Sequence, residues 1–403
     1  MSQSAPRVRR SLPTAGQLRD ALPRRSGGRL ARAASLEDLR ELARRRVPRA
    51  VFDYVDGGAG REVSLMRSRD AYARVEFTPS AMSGVADVDL RTDILGAASN
   101  LPVILAPTGF TRMMHHQGEP AVASAAAAAG LPYVLSTMGT TSLEALASAV
   151  PDARRWFQLY VWRDRAASAD FVRRAADSGY DVLVVTVDTP IGGPRLRDVR
   201  NGMTIPPALT PRTVLDAARR PRWWINMLTT EPLEFASLSS FHGSVSELAS
   251  RVFDPSTTWA DLAQIRKSWP GKLVVKGVQT AADAALAVDH GADAVVVSNH
   301  GGRQLDRSPV PLEVLPGVVD RVGQHVEVHV DGGVLSGADV AAAVGLGAQA
   351  VWVGRAYLFG LMAAGPAGVT KALGLIAAEL RTTLMLTGGT CPEELRGRVR
   401  VRP

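Results

Sequence analysis

The strongest constraint on the fold of this chain is a repeated pattern of short apolar runs, each followed by an alanine-rich stretch of helical character. Valine, leucine and isoleucine dominate the runs, which is typical of buried parallel strands. The runs span residues 101–107, 131–136, 156–161, 181–188, 272–277, 293–300, 326–333 and 350–354. Eight strand–helix repeats predict a closed (β/α)8 TIM barrel of class α/β. An open doubly wound sheet is the alternative, but such sheets usually have fewer strands, and no GxGxxG loop follows the first run.

Two segments depart from the repeat. Ser35 is the predicted N-cap of an N-terminal helical segment, with Asp38 three residues further on. More than 80 residues separate Asp188 from Lys272, so we predict an insertion over 189–271 after the fourth strand. Its stretch 219–228 sets arginines beside two tryptophans. We favour a lid over the barrel mouth, and a peripheral membrane contact through 219–228 is the alternative.

Charge and composition exclude several classes of protein. Residues 1–33 hold eight arginines and one aspartate, so +7 of the net charge of +8 lies in this tail. We predict that the tail is disordered and that one barrel domain spans 34–395. Because the remainder is nearly neutral, no nucleic-acid function is predicted. A single cysteine, no run of 18 apolar residues and no secretory signal predict a cytoplasmic protein, with peripheral contact at the inner face of the membrane as an option.

Polar residues and glycines stand at the carboxyl end of every predicted strand. In a (β/α)8 barrel these ends meet on one face, where catalytic groups collect. In chain order they are Pro107-Thr108-Gly109, Ser136, Gln158 with Tyr160, Thr186 with Asp188, Lys276, Ser298-Asn299-His300 with Arg303, Asp331-Gly332-Gly333 and Gly354-Arg355.

The last two strand ends and the lysine each indicate a negatively charged ligand. Loops after the seventh and eighth strands often bind phosphate through backbone N–H groups, and here they supply glycines and Arg355. Lys276 closes an apolar run, where an unpaired charge is costly. From the residues alone, it either forms a Schiff base or stabilises negative charge on a bound ring.

His300, Arg303 and Asp188 together indicate proton transfer from a bound acid. An arginine can bind a carboxylate through two hydrogen bonds, and a histidine nearby can remove a proton from the adjacent carbon or hydroxyl. An aspartate can orient that histidine and stabilise its charged form. No metal-ligand set is predicted.

At these residues the chain resembles the FMN-dependent L-2-hydroxy acid dehydrogenases and oxidases, and within them the bacterial L-lactate dehydrogenases. The resemblance covers roughly residues 35–391. It rests on SNHGGRQLD, which is close to the family signature, and on FDYVDGGA, ILAPTGF, FQLYV, TVDTP, LVVKG and DGG in matching order.

The resemblance implies a role for each residue of the set. His300 is the catalytic base with Asp188 as its partner, and Tyr160 bonds the substrate hydroxyl. Arg195, Arg303 and Tyr54 hold the substrate carboxylate. Lys276 lies beside the FMN ring, which removes the need for a Schiff base. The remaining FMN-binding residues are Pro107, Thr108, Gly109, Ser136, Gln158, Thr186, Ser298, Asp331, Gly332, Gly333, Gly354 and Arg355.

Three positions depart from the family pattern. Many members carry an arginine two residues after DGG, where this chain has Leu335, so FMN is expected to bind more loosely. Resembling oxidases carry alanine at the position of Gly109, whereas several dehydrogenases carry glycine. Met138 replaces an aromatic residue of glycolate oxidase, which leaves the size of the substrate open.

The favoured function is oxidation of L-lactate or a similar small L-2-hydroxy acid, with a quinone or another non-oxygen acceptor reoxidising FMN. An oxidase that produces hydrogen peroxide is the main alternative. A basic binding module acting through residues 1–33 and an FMN-dependent isomerase are less consistent with the strand-end residues. The resemblance also implies a homotetramer or a larger assembly.

Overall fold

A computed structural model describes residues 28–202, 216, 218–231, 233 and 253–402 of the chain. Its strands are β1 Val75–Phe77, β2 Thr92–Ile94, β3 Ala97–Ser99, β4 Val103–Leu105, β5 Tyr133–Ser136, β6 Arg155–Tyr160, β7 Val182–Thr186, β8 Lys272–Val278, β9 Ala294–Val297, β10 Glu327–Asp331, β11 Ala350–Val353 and β12 Val399–Val401. Strands β4 to β11 pair in sequence order, and β11 pairs with β4 to close a parallel barrel. The predicted (β/α)8 fold and all eight of its strands are confirmed.

Helices follow the strands of the barrel, and three further helices precede the first of these strands. They are α1 Leu36–Arg46, α2 Arg49–Asp56, α3 Val63–Ala73, α4 Thr111–Met114, α5 Gly118–Ala128, α6 Leu143–Ala149, α7 Arg165–Asp177, α8 Leu196–Arg200, α9 Pro221–Thr229, α10 Trp259–Ser268, α11 Ala281–Asp289, α12 Pro311–Val322, α13 Gly337–Gly345, α14 Arg355–Ala364 and α15 Pro366–Thr387. Helix α1 begins as predicted, because Ser35 and Asp38 form a reciprocal capping box.

The inside of the barrel is a packed core. Trp156 and Trp352 meet edge to face at its centre, with ring centroids 5.8 Å apart. The hairpin β2–β3, which no local pattern predicted, brings Ile94 and Leu95 into the same cluster. Arg154, just before β6, donates to the Ile94 carbonyl, so the hairpin covers the amino end of the barrel. A ligand therefore has to bind at the carboxyl end.

Two predicted boundaries need correction. Residues 28–33 fall within the predicted tail, yet they form turns, and Ala33 is buried in the main core. At the other end, β12 lies beyond residue 395 and pairs with β1 in an antiparallel ladder. Both extensions are held by contacts with distant parts of the chain. The remainder of the tail, and much of the insertion 189–271, lies outside the described residues.

Helices α14 and α15 pack closely because glycines face each other where they cross. A Cβ atom on Gly368 would clash with the carbonyl oxygen of Gly360, and a Cβ atom on Gly360 would clash with that of Gly368. Gly374, further along α15, is exposed and has no atom within 4 Å of the position of an added Cβ.

We expect Gly368→Ala to lower the free energy of unfolding by about 1–3 kcal/mol, because the helices must move apart. The matched control Gly374→Ala adds a methyl group in open space and should raise stability by about 0.5–1 kcal/mol through helix propensity. Urea unfolding of both variants measures the difference. Equal effects would mean that the two helices do not depend on this contact.

The loop after β10 ends in a partly buried carboxylate. Asp339, in the first turn of α13, accepts a hydrogen bond from the Leu335 N–H at 2.8 Å. Burial raises the pKa of Asp339 to about 6, in spite of hydrogen bonds from Leu335 and Ser336, and the charge of Glu379 adds to the rise. The folded chain therefore binds this proton more tightly than the unfolded chain does.

That raised pKa predicts a pH-dependent difference between the natural chain and Asp339→Asn. The stabilisation from the bound proton is complete below about pH 4 and is lost as the pH rises through 6. Because asparagine does not titrate, the variant keeps its free energy of unfolding as the pH rises. Relative to the natural chain, that free energy should therefore rise by about 1 kcal/mol between pH 5 and pH 8. Urea unfolding at both pH values measures it, and a pH-independent difference would contradict the raised pKa.

Candidate active site

The carboxyl ends of the barrel strands enclose a cavity of about 300 Å³. Most of the predicted site residues line it, together with residues from the helices that precede the barrel. The predicted residues on its wall are Tyr54, Pro107, Thr108, Gly109, Ser136, Tyr160, Thr186, Arg195, Lys276, His300, Arg303, Asp331, Gly332, Gly333, Gly354 and Arg355.

The remaining predicted residues lie directly behind that wall and orient it. Gln158 accepts a hydrogen bond from the Ser136 hydroxyl at 3.0 Å and donates one to Thr186 Oγ1 at 3.0 Å. Ser298 accepts a hydrogen bond from Lys276 Nζ at 2.9 Å. These buried contacts run between adjacent barrel strands, and so they fix the side chains at the strand ends relative to one another.

His300 and Asp188 form a hydrogen-bonded pair, with 3.1 Å between Nδ1 and Oδ1. Burial alone would raise the pKa of Asp188, but the charges of His300 and Lys276 and the histidine hydrogen bond hold it below its ordinary value. Asp188 is therefore a carboxylate at neutral pH. Because Nδ1 of His300 is engaged, Nε2 is the ring nitrogen that remains for a ligand.

The backbone at His300 is in the left-handed region, with φ of 59°. Gly301 and Gly302 follow in the same region, and a Cβ atom on Gly302 would lie 2.7 Å from the backbone nitrogen of Leu65. A non-glycine residue in this conformation costs free energy and is commonly found at functional sites. The two glycines of SNHGGR thus allow a tight turn that presents His300 and Arg303 to one cavity.

Lys276 and Asp331 form a buried ion pair, with 2.9 Å between Nζ and Oδ2. Burial works to lower the pKa of Lys276, but the carboxylates of Asp331 and Asp188 outweigh it and raise the pKa above its ordinary value. The other oxygen of Asp331, Oδ1, is buried without a hydrogen-bond partner among the described residues. Asp331 thus has an acceptor available to a ligand in the cavity.

Arg303 and Arg195 both lie against the ring of Tyr54, with their guanidinium carbons 4.9 and 5.6 Å from its centroid. Arg195 is also paired with Asp198, at 2.8 Å. Burial and the like charge of Arg195 lower the pKa of Arg303. Tyr160 completes this part of the wall, where its ring packs edge to face on Phe253 at 5.4 Å. Two guanidinium groups around one phenol make an anion-binding surface.

Arg355 lies at the other end of the cavity and is held by backbone carbonyls. Its guanidinium donates to the oxygens of Val55 at 2.9 Å, Gly301 at 2.9 Å and Gly57 at 2.8 Å. Burial and the nearby charges of Arg303 and Arg69 lower the pKa of Arg355 to about 9. It is thus still a cation at neutral pH.

The helix that precedes the barrel completes the site. Arg303 donates to the carbonyls of Tyr54 and Gly57, so both Arg303 and Arg355 bond to the carboxyl end of α2. Carbonyls at a helix end lack partners within the helix. Phe253, Leu65 and Arg69 also line the cavity and were not predicted. The only sequence signal for the last two is their spacing of four residues in one helix.

Comparisons with known proteins agree with this arrangement. The model of the FMN-dependent dehydrogenase family matches residues 43–401. A protein of Mycobacterium tuberculosis named "Putative L-lactate dehydrogenase" is 55% identical over 370 residues, covering 92% of this chain and 89% of that protein. The L-lactate dehydrogenase of Caulobacter vibrioides is 44% identical over 364 residues, covering 88% and 94% respectively.

Solved structures are similar as well. The monotopic membrane protein (S)-mandelate dehydrogenase superposes with a TM-score of 0.88 at 37% identity, covering 92% of this chain and all of that chain. Mandelate oxidase superposes with a TM-score of 0.80 at 40% identity, covering 92% of this chain and 98% of that one. On its sequence and its fold, this chain belongs to the FMN-dependent dehydrogenase family.

Proposed function

We propose that this protein oxidises a small L-2-hydroxy acid, with L-lactate favoured, to the 2-oxo acid, and that a quinone or another non-oxygen acceptor then takes the electrons. The observation that carries the proposal is that His300, paired with Asp188, lines the same cavity as Arg195 and Arg303. Oxidation of a hydroxy acid requires a base for the hydroxyl proton and groups that hold the carboxylate in place. Relatives named L-lactate dehydrogenase support the favoured substrate.

The residues at the inner end of the cavity fit FMN. Gly332, Gly333 and Gly354 bring backbone close to a ligand, Arg355 supplies a cation for phosphate, and Asp331 Oδ1 supplies an acceptor for a ribityl hydroxyl. Along the ring we assign Pro107, Thr108, Gly109, Ser136, Thr186 and Lys276, with Gln158 and Ser298 behind them. The pair with Asp331 keeps Lys276 protonated, so that its ammonium group is available beside that ring.

In this mechanism the chain binds, orients and deprotonates the substrate. Arg195 and Arg303 hold the substrate carboxylate, and Tyr160 forms a hydrogen bond with the substrate hydroxyl. Nε2 of His300 accepts the hydroxyl proton, and Asp188 stabilises the resulting imidazolium. When bound, FMN would supply the acceptor for the C2 hydrogen and its electron pair, while the hydroxyl proton goes to His300 and the substrate becomes the 2-oxo acid.

Gly109 supports a dehydrogenase over an oxidase. A Cβ atom at this position would lie 3.1 Å from Cβ of Met138, closer than an ordinary contact, so an alanine there would require Met138 to shift on the cavity wall. The comparisons point to different electron acceptors, since relatives are named L-lactate dehydrogenase while similar structures include a mandelate oxidase. We take the glycine, which several resembling dehydrogenases share, as the reason to propose a non-oxygen acceptor.

Anaerobic mixing of the FMN-loaded protein with L-lactate tests the proposal. We expect rapid loss of flavin absorbance near ~450 nm, no loss with D-lactate, and slow recovery in air. His300→Gln should bind FMN normally but reduce it at least about a hundredfold more slowly, because proton abstraction is lost. Rapid oxygen consumption without another acceptor would favour the oxidase. No bleaching by L-lactate, glycolate or L-mandelate would overturn the function.

We further propose that α9 contacts a membrane surface from which a quinone can approach. Trp223 Nε1 donates to the Met113 carbonyl at 3.0 Å, and Met114 lines the cavity, so α9 lies beside the site. The side chains of Ile225 and Leu228 are 58% and 75% exposed. Among the described residues, no helix has the length and apolar composition needed to cross a bilayer. The cytoplasmic location and the homotetramer or larger assembly stay predictions.

Flotation with vesicles of phosphatidylcholine and anionic phosphatidylglycerol tests this contact. Salt near ~0.5 M screens the attraction of the basic tail, so that apolar insertion dominates. We expect the natural chain to float and Ile225→Glu/Leu228→Glu to stay in the lower fraction. Leu386→Glu, which changes a residue 65% exposed on α15, is the matched control and should float. Equal flotation of all three would exclude α9 as the contact.

A further inference from the structure

We propose that Arg69, in α3, is the second side-chain cation that binds the FMN phosphate, in place of the arginine that Leu335 replaces. The inference rests on the proposed FMN site, and a second cation at Arg69 would offset the looser binding expected from Leu335. Leu335 lines the cavity but has an apolar side chain, and its N–H is already bonded to Asp339. The phosphate end of the cavity therefore needs its second cation from another element.

Helix α3 lies directly against the two glycine turns of the site. The Ser68 carbonyl and the Tyr72 ring of α3 occupy the space that a side chain on Gly333 would need. Leu65 does the same at Gly302. Leu65 and Arg69 are four residues apart, which puts them on one face of the helix, and both line the cavity. Arg69 thus shares a wall with the glycines to which we assign the phosphate.

The charge of Arg69 lacks a counter-ion within the described protein. Its neighbour Arg67 is paired with Glu313 at 3.6 Å, and Arg74 of the same helix also pairs with Glu313. No described residue forms an ion pair or a hydrogen bond with the Arg69 side chain, although it is only partly exposed. The charges of Arg69 and Arg355 repel each other across the cavity. An anion between them would convert this repulsion into attraction.

Arg355 alone is poorly suited to a phosphate. Three of its N–H groups are bonded to the carbonyls of Val55, Gly57 and Gly301, so few remain for a ligand. A phosphate monoester carries a charge of about −1.5 to −2 at neutral pH. Arg69 would bring a second full charge together with free donors. Arg355 then orients the loop while Arg69 supplies much of the binding.

The experiment compares FMN with riboflavin, which lacks the phosphate. Apoprotein of the natural chain, Arg69→Met, Arg69→Lys and Arg67→Met is titrated with each flavin, and the quenching of flavin fluorescence gives Kd. We expect Arg69→Met to weaken FMN about ten- to a hundredfold, since a charge-assisted contact is lost, and to leave riboflavin unchanged. Arg69→Lys keeps the charge, so its Kd for FMN should lie between those of the natural chain and Arg69→Met. The Kd of Arg67→Met should match that of the natural chain.

Three results would overturn the role of Arg69. They are an unchanged FMN Kd in Arg69→Met, an equal loss for FMN and riboflavin, and no advantage of Arg69→Lys over Arg69→Met. Turnover of the natural chain and of Arg67→Met at saturating FMN tests the proposed function separately from the phosphate contact, because Arg67 lies outside the cavity wall. A phosphate-specific loss in a protein that oxidises no L-2-hydroxy acid would support Arg69 and overturn the proposed function instead.

Discussion

The constraint on which this site depends is the concentration of positive charge at the carboxyl end of the barrel. Lys276 is buried there and Arg303 and Arg355 are partly buried, so their charges would be costly without partners. Asp331 neutralises the lysine, and the carbonyls at the end of α2 accept hydrogen bonds from both arginines. Carbonyls are dipoles and not charges, so the cavity keeps a positive potential that favours anionic ligands.

The same constraint explains why the chain carries helices before its barrel. Without α2 the guanidinium groups of Arg303 and Arg355, which are partly buried, would lose acceptors that no barrel strand replaces. Without α3 the glycine turns at Gly302 and Gly333 would lose their outer wall. The barrel thus provides the lysine, the histidine and the glycines. The end of α2 accepts the hydrogen bonds that stabilise Arg303 and Arg355. On this account cofactor binding and stability of the N-terminal segment are coupled, since both depend on the same contacts.

Residues next to barrel strands could be predicted from sequence, and residues that depend on distant packing could not. Asp188, Lys276 and His300 each follow an apolar run, so their convergence on one face follows from the barrel itself. By contrast, β1 and β12 pair across more than 300 residues, and neither segment carries a local signal of its partner. Arg69 reads as one more surface arginine in its helix, and only the packing of α3 on the glycine turns brings it to the cavity.

The most direct test of this account is a crystal structure of the FMN-loaded protein with oxalate, a planar stand-in for the substrate carboxylate. The account predicts two separate anions in one cavity, with oxalate on Arg195 and Arg303 and the phosphate near Arg69, Arg355 and the glycine loops. A phosphate bound beside Arg303, or oxalate beyond hydrogen-bond distance of both arginines, would contradict it. Either result would mean that the buried cations stabilise the fold and do not select the ligands.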